Sequence, residues 1–355
     1  MAKKKAKTKR PTAKKLKRRY RAWTRWPTER LLDVRLCDLG VRIDDSPLRS
    51  SIRRIYEELE QRSLRFRPHF WVSEDWFTPA GVPGCAVPFY LLHPRLQRLE
   101  RSQMLAAEGA DQTQCMKLLR HEVGHAIDHA YRLYLRRERQ RLFGKTSKRY
   151  PDSYLPRPYS RKYVQNIDYW YAQAHPDEDF AETFAVWLRP RFNWRKVYDG
   201  WPAMKKLQYV DELMKEIADQ PPPVRTRKYV DPINTIRKSL RQYYAEKQSH
   251  YVGEYPNVYD SDLLRLFSAA PKYRRNETAA SFLRRVGPQI RRTVTQWTGH
   301  YAYSMDQVLQ EVIGRCRELR LRITRPPEKM KTDATIMLTV ITMNFLYSGR
   351  RWINL

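Results

Sequence analysis

The segment His121-Glu122-Val123-Gly124-His125 places two imidazoles four residues apart with a carboxylate beside the first. On an α-helix, residues at that spacing share a face, about 6 Å apart along the axis, and both rings can close on one tetrahedral Zn²⁺. This is the pattern of a zinc hydrolase, in which Glu122 takes a proton from a metal-activated water. The flanks predict the helix itself. Cys115, Met116, Leu118 and Leu119 precede the motif and Ala126, Ile127 and Ala130 follow it, leaving a polar stripe of His121, Gly124, His125 and Asp128. Gly124 costs a helix about 1 kcal/mol relative to Ala, which implies close approach of another group at that point.

A catalytic zinc takes three protein ligands and keeps a fourth position open. His129 lies about 80° round the helix from His121 and two turns along it, a poor position for the third ligand. A better source is Pro176-Asp177-Glu178-Asp179-Phe180-Ala181-Glu182, where Pro176 and the acids suit a first helical turn and Phe180, Phe184, Trp187 and Leu188 supply an apolar face. Glu178 and Glu182 stand one turn apart. One can ligate a metal while the other accepts the free ring N–H of a ligating histidine. Periodicity leaves open which does which.

The block His121-Glu122-Val123-Gly124-His125-Ala126-Ile127-Asp128, together with Glu178-Asp179-Phe180-Ala181-Glu182, resembles the gluzincin metallopeptidases, especially the branch of anthrax lethal factor and the Pro-Pro endopeptidases. It is also similar to bacterial proteins called "putative zinc-binding metallopeptidases". The resemblance implies that His121, His125 and Glu178 are zinc ligands, that Glu122 is the general base, and that Glu182 supports the ligands from behind. Asp128, one turn beyond Gly124, is expected to do the same or to serve helix packing. The family often carries an oxyanion-stabilising tyrosine seven residues before the ligating Glu; Tyr171 holds that offset, with His175 as its competitor. The implied activity is hydrolysis of a protein or peptide substrate by a metal-activated water.

The chain of 355 residues carries a formal charge of +31, and residues 1–30 hold 14 Lys/Arg against one Glu. They contain no apolar run of signal-peptide length and are expected to form a disordered basic arm. Such an arm can bind nucleic acid or another polyanion through phosphates, with Tyr20, Trp23 and Trp26 stacking on bases. Cys37, Cys85, Cys115 and Cys316 form no close pair, which points to reduced thiols and a cytoplasmic protein. The apolar Ile336–Tyr347 is too short to span a bilayer and reads as a buried helix, so no membrane insertion is expected.

The globular body should begin near Leu31. Ser46 and Pro47 open a helix with Leu48, Ile52, Ile55 and Leu59 on one face, followed by strands over 65–72 and 86–92 with a turn at Gly81-Val82-Pro83-Gly84. Met204, Leu207, Val210, Met214 and Ile217 predict another helix. Gln220-Pro221-Pro222-Pro223 marks a boundary, and beyond it the chain looks helical, with Pro271, Pro288 and Pro326 as punctuation. The expectation is thus an α+β fold: a basic arm over 1–30, a zincin-like domain over 31–220 and a mainly helical region over 221–355. A rival reading makes the chain a nucleic-acid-associated protein whose zinc site is structural or inactive.

Overall fold

In the computed structural model, the described residues are 22–354 apart from 152, 155, 158–159, 252–258, 299–300 and 348–352. The basic run from Lys3 to Arg21, with Tyr20, lies outside them. The composition is mostly helical with small sheets, as an α+β reading requires. Internal packing divides the chain into two compact units. The first takes in the chain up to Gln103, Ala107–Leu133 and Ile217–Ala245; the second comprises Met104–Ala106, Tyr134–Glu216 and Glu246–Leu355.

The first unit contains α1 (Thr28–Leu32), α2 (Leu48–Gln61), β1 (His69–Ser73), β2 (Gly84–Pro88), most of α3 (Pro94–Met104) and α4 (Gln112–Tyr131). The body begins before Leu31. Trp23 is buried, its indole N–H donates to the Leu39 carbonyl at 3.0 Å, and its ring meets His93 edge-on. It is therefore not available to stack on a base, which corrects the role expected for it in a free arm. On α2, Leu48, Ile52, Ile55 and Leu59 all face the core. Ser46 does not cap that helix; its hydroxyl bonds back to the Ile43 carbonyl, and Pro47 occupies the N-cap.

The strands are shorter than the apolar runs suggested, and they pair in parallel, from His69 opposite Gly84 to Ser73 opposite Pro88. A single turn cannot join parallel neighbours. The connection instead reverses twice: Phe77 bridges antiparallel to Ala86 on the far side of β2, and the chain turns again through Pro79–Val82 before entering β2. Residues 89–92, expected as strand, form a 3₁₀ turn. On β1, the side chains of His69, Trp71 and Ser73, which share one face of the strand, donate to the carbonyls of Lys228, Val230 and Asp231 at 3.1, 2.8 and 2.7 Å.

Gly84 is required beside this row. A Cβ there would fall 2.4–2.6 Å from the His69 ring, and that ring is held between its Lys228 bond and the stacked Trp71. Gly84→Ala is expected to cost about 1–3 kcal/mol by overpacking, read as a lowered denaturant midpoint. A variant as stable as the parent would show that the His69 ring is free to move.

The second unit opens with α5 (Arg137–Phe143), the two-residue β3 (Ser153–Tyr154), α6 (Pro176–Leu188), α7 (Trp194–Val197) and α8 (Met204–Ile217). After α9 (Leu240–Tyr251) come α10 (Asp260–Leu266), α11 (Ala279–Thr298), α12 (Ala302–Glu318) and α13 (Pro327–Tyr347). Phe282, Leu283, Met305, Val312, Met330 and Leu338 meet in the core of that last group. Pro288, expected as punctuation, lies inside α11. The segment expected as a buried helix is the second half of α13, with Leu338 and Thr342 inward but Ile336 and Val340 at least half exposed. No helix among the described residues is long and apolar enough to cross a membrane.

Candidate metal centre

The helix α4 begins where Asp111 accepts the backbone N–H groups of Thr113 and Gln114, and it ends at Arg132 in the left-handed region, φ 53°. Arg120, immediately before the motif, is buried and bidentate to the buried Glu58 of α2 at 2.7 and 2.8 Å. This pair fixes the rotation of α4 in the first unit. One residue on, the His121 and His125 rings stand at 79° with their Nε2 atoms 3.1 Å apart. Two imidazole lone pairs repel at that distance unless a proton or a cation lies between them. For comparison, two nitrogens about 2.0–2.1 Å from a tetrahedral zinc are roughly 3.3 Å apart.

Glu122 is buried, and its Oε2 accepts the Thr78 hydroxyl at 2.9 Å; the same hydroxyl also reaches the Glu122 carbonyl. Thr78 belongs to the double-reversing connection between the strands, so the β1–β2 topology supplies a donor to this carboxylate. Cys85 on β2 is fully buried. Burial, with the nearby Glu122 charge, pushes its thiol well up.

The helix α6 has its own N-terminal framework. His175 caps it: Nδ1 accepts the Asp177 N–H at 3.2 Å while Nε2–H donates to the Lys148 carbonyl at 2.9 Å. With both nitrogens engaged, His175 is a structural residue and not the oxyanion donor considered for it. Pro176 packs 3.0 Å from where a Gly144 side chain would begin, and Gly144 holds φ 105°, so glycine is needed there twice over. Asp177 accepts Arg139 and Thr146, both at 2.7 Å; burial alone would raise its carboxyl, but these bonds and the Arg139 charge hold it well below the usual range. Asp179 pairs with Lys206 at 2.5 Å, and burial still pushes its carboxyl up to about 7 against that partner.

Glu178 is buried and accepts the Tyr150 hydroxyl at 2.5 Å. Glu182 is fully buried, its Oε1 taking Asn166 Nδ2 and its Oε2 the Ile167 N–H, both at 2.8 Å. It therefore anchors the entry to the 3₁₀ segment Asp168–Gln173, which carries Tyr171. Trp170, just before Tyr171, sits at φ 54°, a conformation that costs a non-glycine residue strain and needs such anchoring. The Tyr171 ring meets that of Tyr154 edge-on. Asp128 is buried on α4.

The donor atoms of His121, His125 and Glu178 all lie within 4.8 Å of one another. Two imidazoles and a carboxylate make an N/O set of the kind that holds a catalytic zinc. Residues 100–192 match the family described as "Putative zinc-binding metallo-peptidase". No curated protein and no solved structure matches the chain. The matched span contains α4, α6 and every residue named above as a ligand, base or tyrosine donor. Family and cluster together support zinc as the metal and a peptidase role for the site. Tyr150 and Thr78 were not foreseen: each acts by one hydroxyl from an irregular segment, where no period marks a residue out.

Proposed function

We propose that the chain is a zinc metallopeptidase of the gluzincin type on a zincin-like core, in the branch that resembles lethal factor and the Pro-Pro endopeptidases. The observation that carries this reading is the grouping of His121, His125 and Glu178 beside a buried carboxylate, Glu122, on the same helix as the two histidines. His121, His125 and Glu178 would hold the metal. Zinc in such a site lowers the pKa of water towards about 7 and polarises a carbonyl.

Glu122 is the base. Thr78 engages Oε2, which orients the carboxylate so that Oε1 takes the proton of the attacking water and returns it to the leaving amine. Tyr171 donates to the developing oxyanion. Glu182 serves by holding the Asn166–Ile167 entry to the Tyr171 segment, and Asp128 supports α4 from its buried face. The substrate is a protein or peptide, and the basic residues 1–30 would bring the enzyme to a polyanion such as nucleic acid.

Elemental mass spectrometry of the purified protein is expected to find about one zinc per chain, and much less in Glu178→Ala. A peptide library should then yield a cleaved sequence. Wild-type protein that stays metal-free after reconstitution with zinc would overturn the reading.

A further inference from the structure

We propose that Tyr150 is a positioning residue of the metal site, holding one oxygen of Glu178 so that the other is presented to the metal. The inference rests on the metal reading above. Its geometry lies wholly in the irregular segment before α6 and the first turn of that helix.

The Tyr150 hydroxyl lies 2.5 Å from Glu178 Oε1, the length of a strong bond from a neutral donor to a charged carboxylate. A glutamate can present its two oxygens to a metal in several ways, and a donor fixed on one of them selects among these. Tyr150 is itself fixed. Its ring lies 4.7 Å from that of His175 at 33°, and His175 is immobilised by its bonds to the Asp177 N–H and the Lys148 carbonyl. The second of these bonds also ties the backbone two residues before Tyr150. His175 therefore orients both the ring and the strand of chain that bears it.

Donors of this kind behind metal ligands typically change metal affinity by 10–100-fold when removed.

The test is the zinc dissociation constant, measured by competition with a chromophoric chelator, for wild type, Tyr150→Phe, Glu178→Gln and the double variant. Phenylalanine keeps the ring against His175 and removes only the hydroxyl. Tyr150→Phe is expected to weaken zinc about 10–100-fold, with the circular-dichroism spectrum of the metal-free protein unchanged. In the Glu178→Gln background the same change should have little further effect, because its route to the metal is already gone. Wild-type affinity in Tyr150→Phe would overturn the proposal and leave the metal reading standing. So would an equal loss in both backgrounds, which is what general damage to the fold would give. Failure of wild type to bind zinc would instead remove the metal reading, and this inference with it.

Discussion

Glu122→Gln is expected to bind zinc as wild type does and to lose about 10²–10⁴-fold in kcat/KM for peptide hydrolysis, the contribution typical of a positioned general base. The amide has the size and shape of the carboxylate, and its oxygen can accept the Thr78 hydroxyl that now bonds Oε2. Packing around this buried side chain should survive. What is lost is the ability to take a proton. The measurements are zinc content and kcat/KM on any peptide the wild type cleaves. Unchanged turnover would remove Glu122 from the mechanism, and loss of zinc would mean that the residue supports the ligands instead.

The largest stability effect is expected at Arg120→Met, about 3–5 kcal/mol by denaturant unfolding. Both members of the Arg120–Glu58 pair are buried, with side-chain exposures of 6 and 3%. Removing the guanidinium strands the Glu58 carboxylate between α2 and α4. Its remaining cation, Arg54, is half exposed and bonds only one oxygen, at 3.2 Å. The double variant Glu58→Met, Arg120→Met should recover most of the loss, because two apolar side chains of similar volume replace the desolvated charges. A single variant costing less than about 1 kcal/mol would show that water reaches Glu58.

The pattern of α4 is legible in the sequence because metal ligands at helical spacing impose a polar stripe on an apolar helix, and the buried Leu119, Val123, Ala126 and Ile127 answer to that pattern. The helix α6 is legible through Pro176 and the acids of its first turn. What periodicity does not encode is a partner chosen by three-dimensional approach. Tyr171 is picked out by an offset from Glu178, whereas Tyr150, which touches Glu178, lies 28 residues away in a stretch without a repeat. The parallel pairing of β1 and β2 is hidden for a similar reason. The residues of Gly81–Gly84 announce a reversal, but nothing in them announces the earlier reversal before Phe77. Trp23 reads as part of the basic arm because its neighbours are charged, whereas its indole bonds the Leu39 carbonyl and its ring meets His93.

The return of Ile217–Ala245 to the first unit bears on how the protein is made. Val224 N–H donates to Ala130 at the end of α4, the Tyr131 hydroxyl to Gln220, and the N–H groups of Leu36 and Cys37 to Lys238 and Ile236. The carbonyls of Lys228, Val230 and Asp231 complete the side-chain bonds of β1. A ribosome adding about 5–20 residues per second therefore releases His121 and Glu122 many seconds before the segment that finishes their unit has emerged. Through that interval the nascent chain carries the histidine motif without its completed surroundings, and a fragment ending at the proline run would be arrested in the same state.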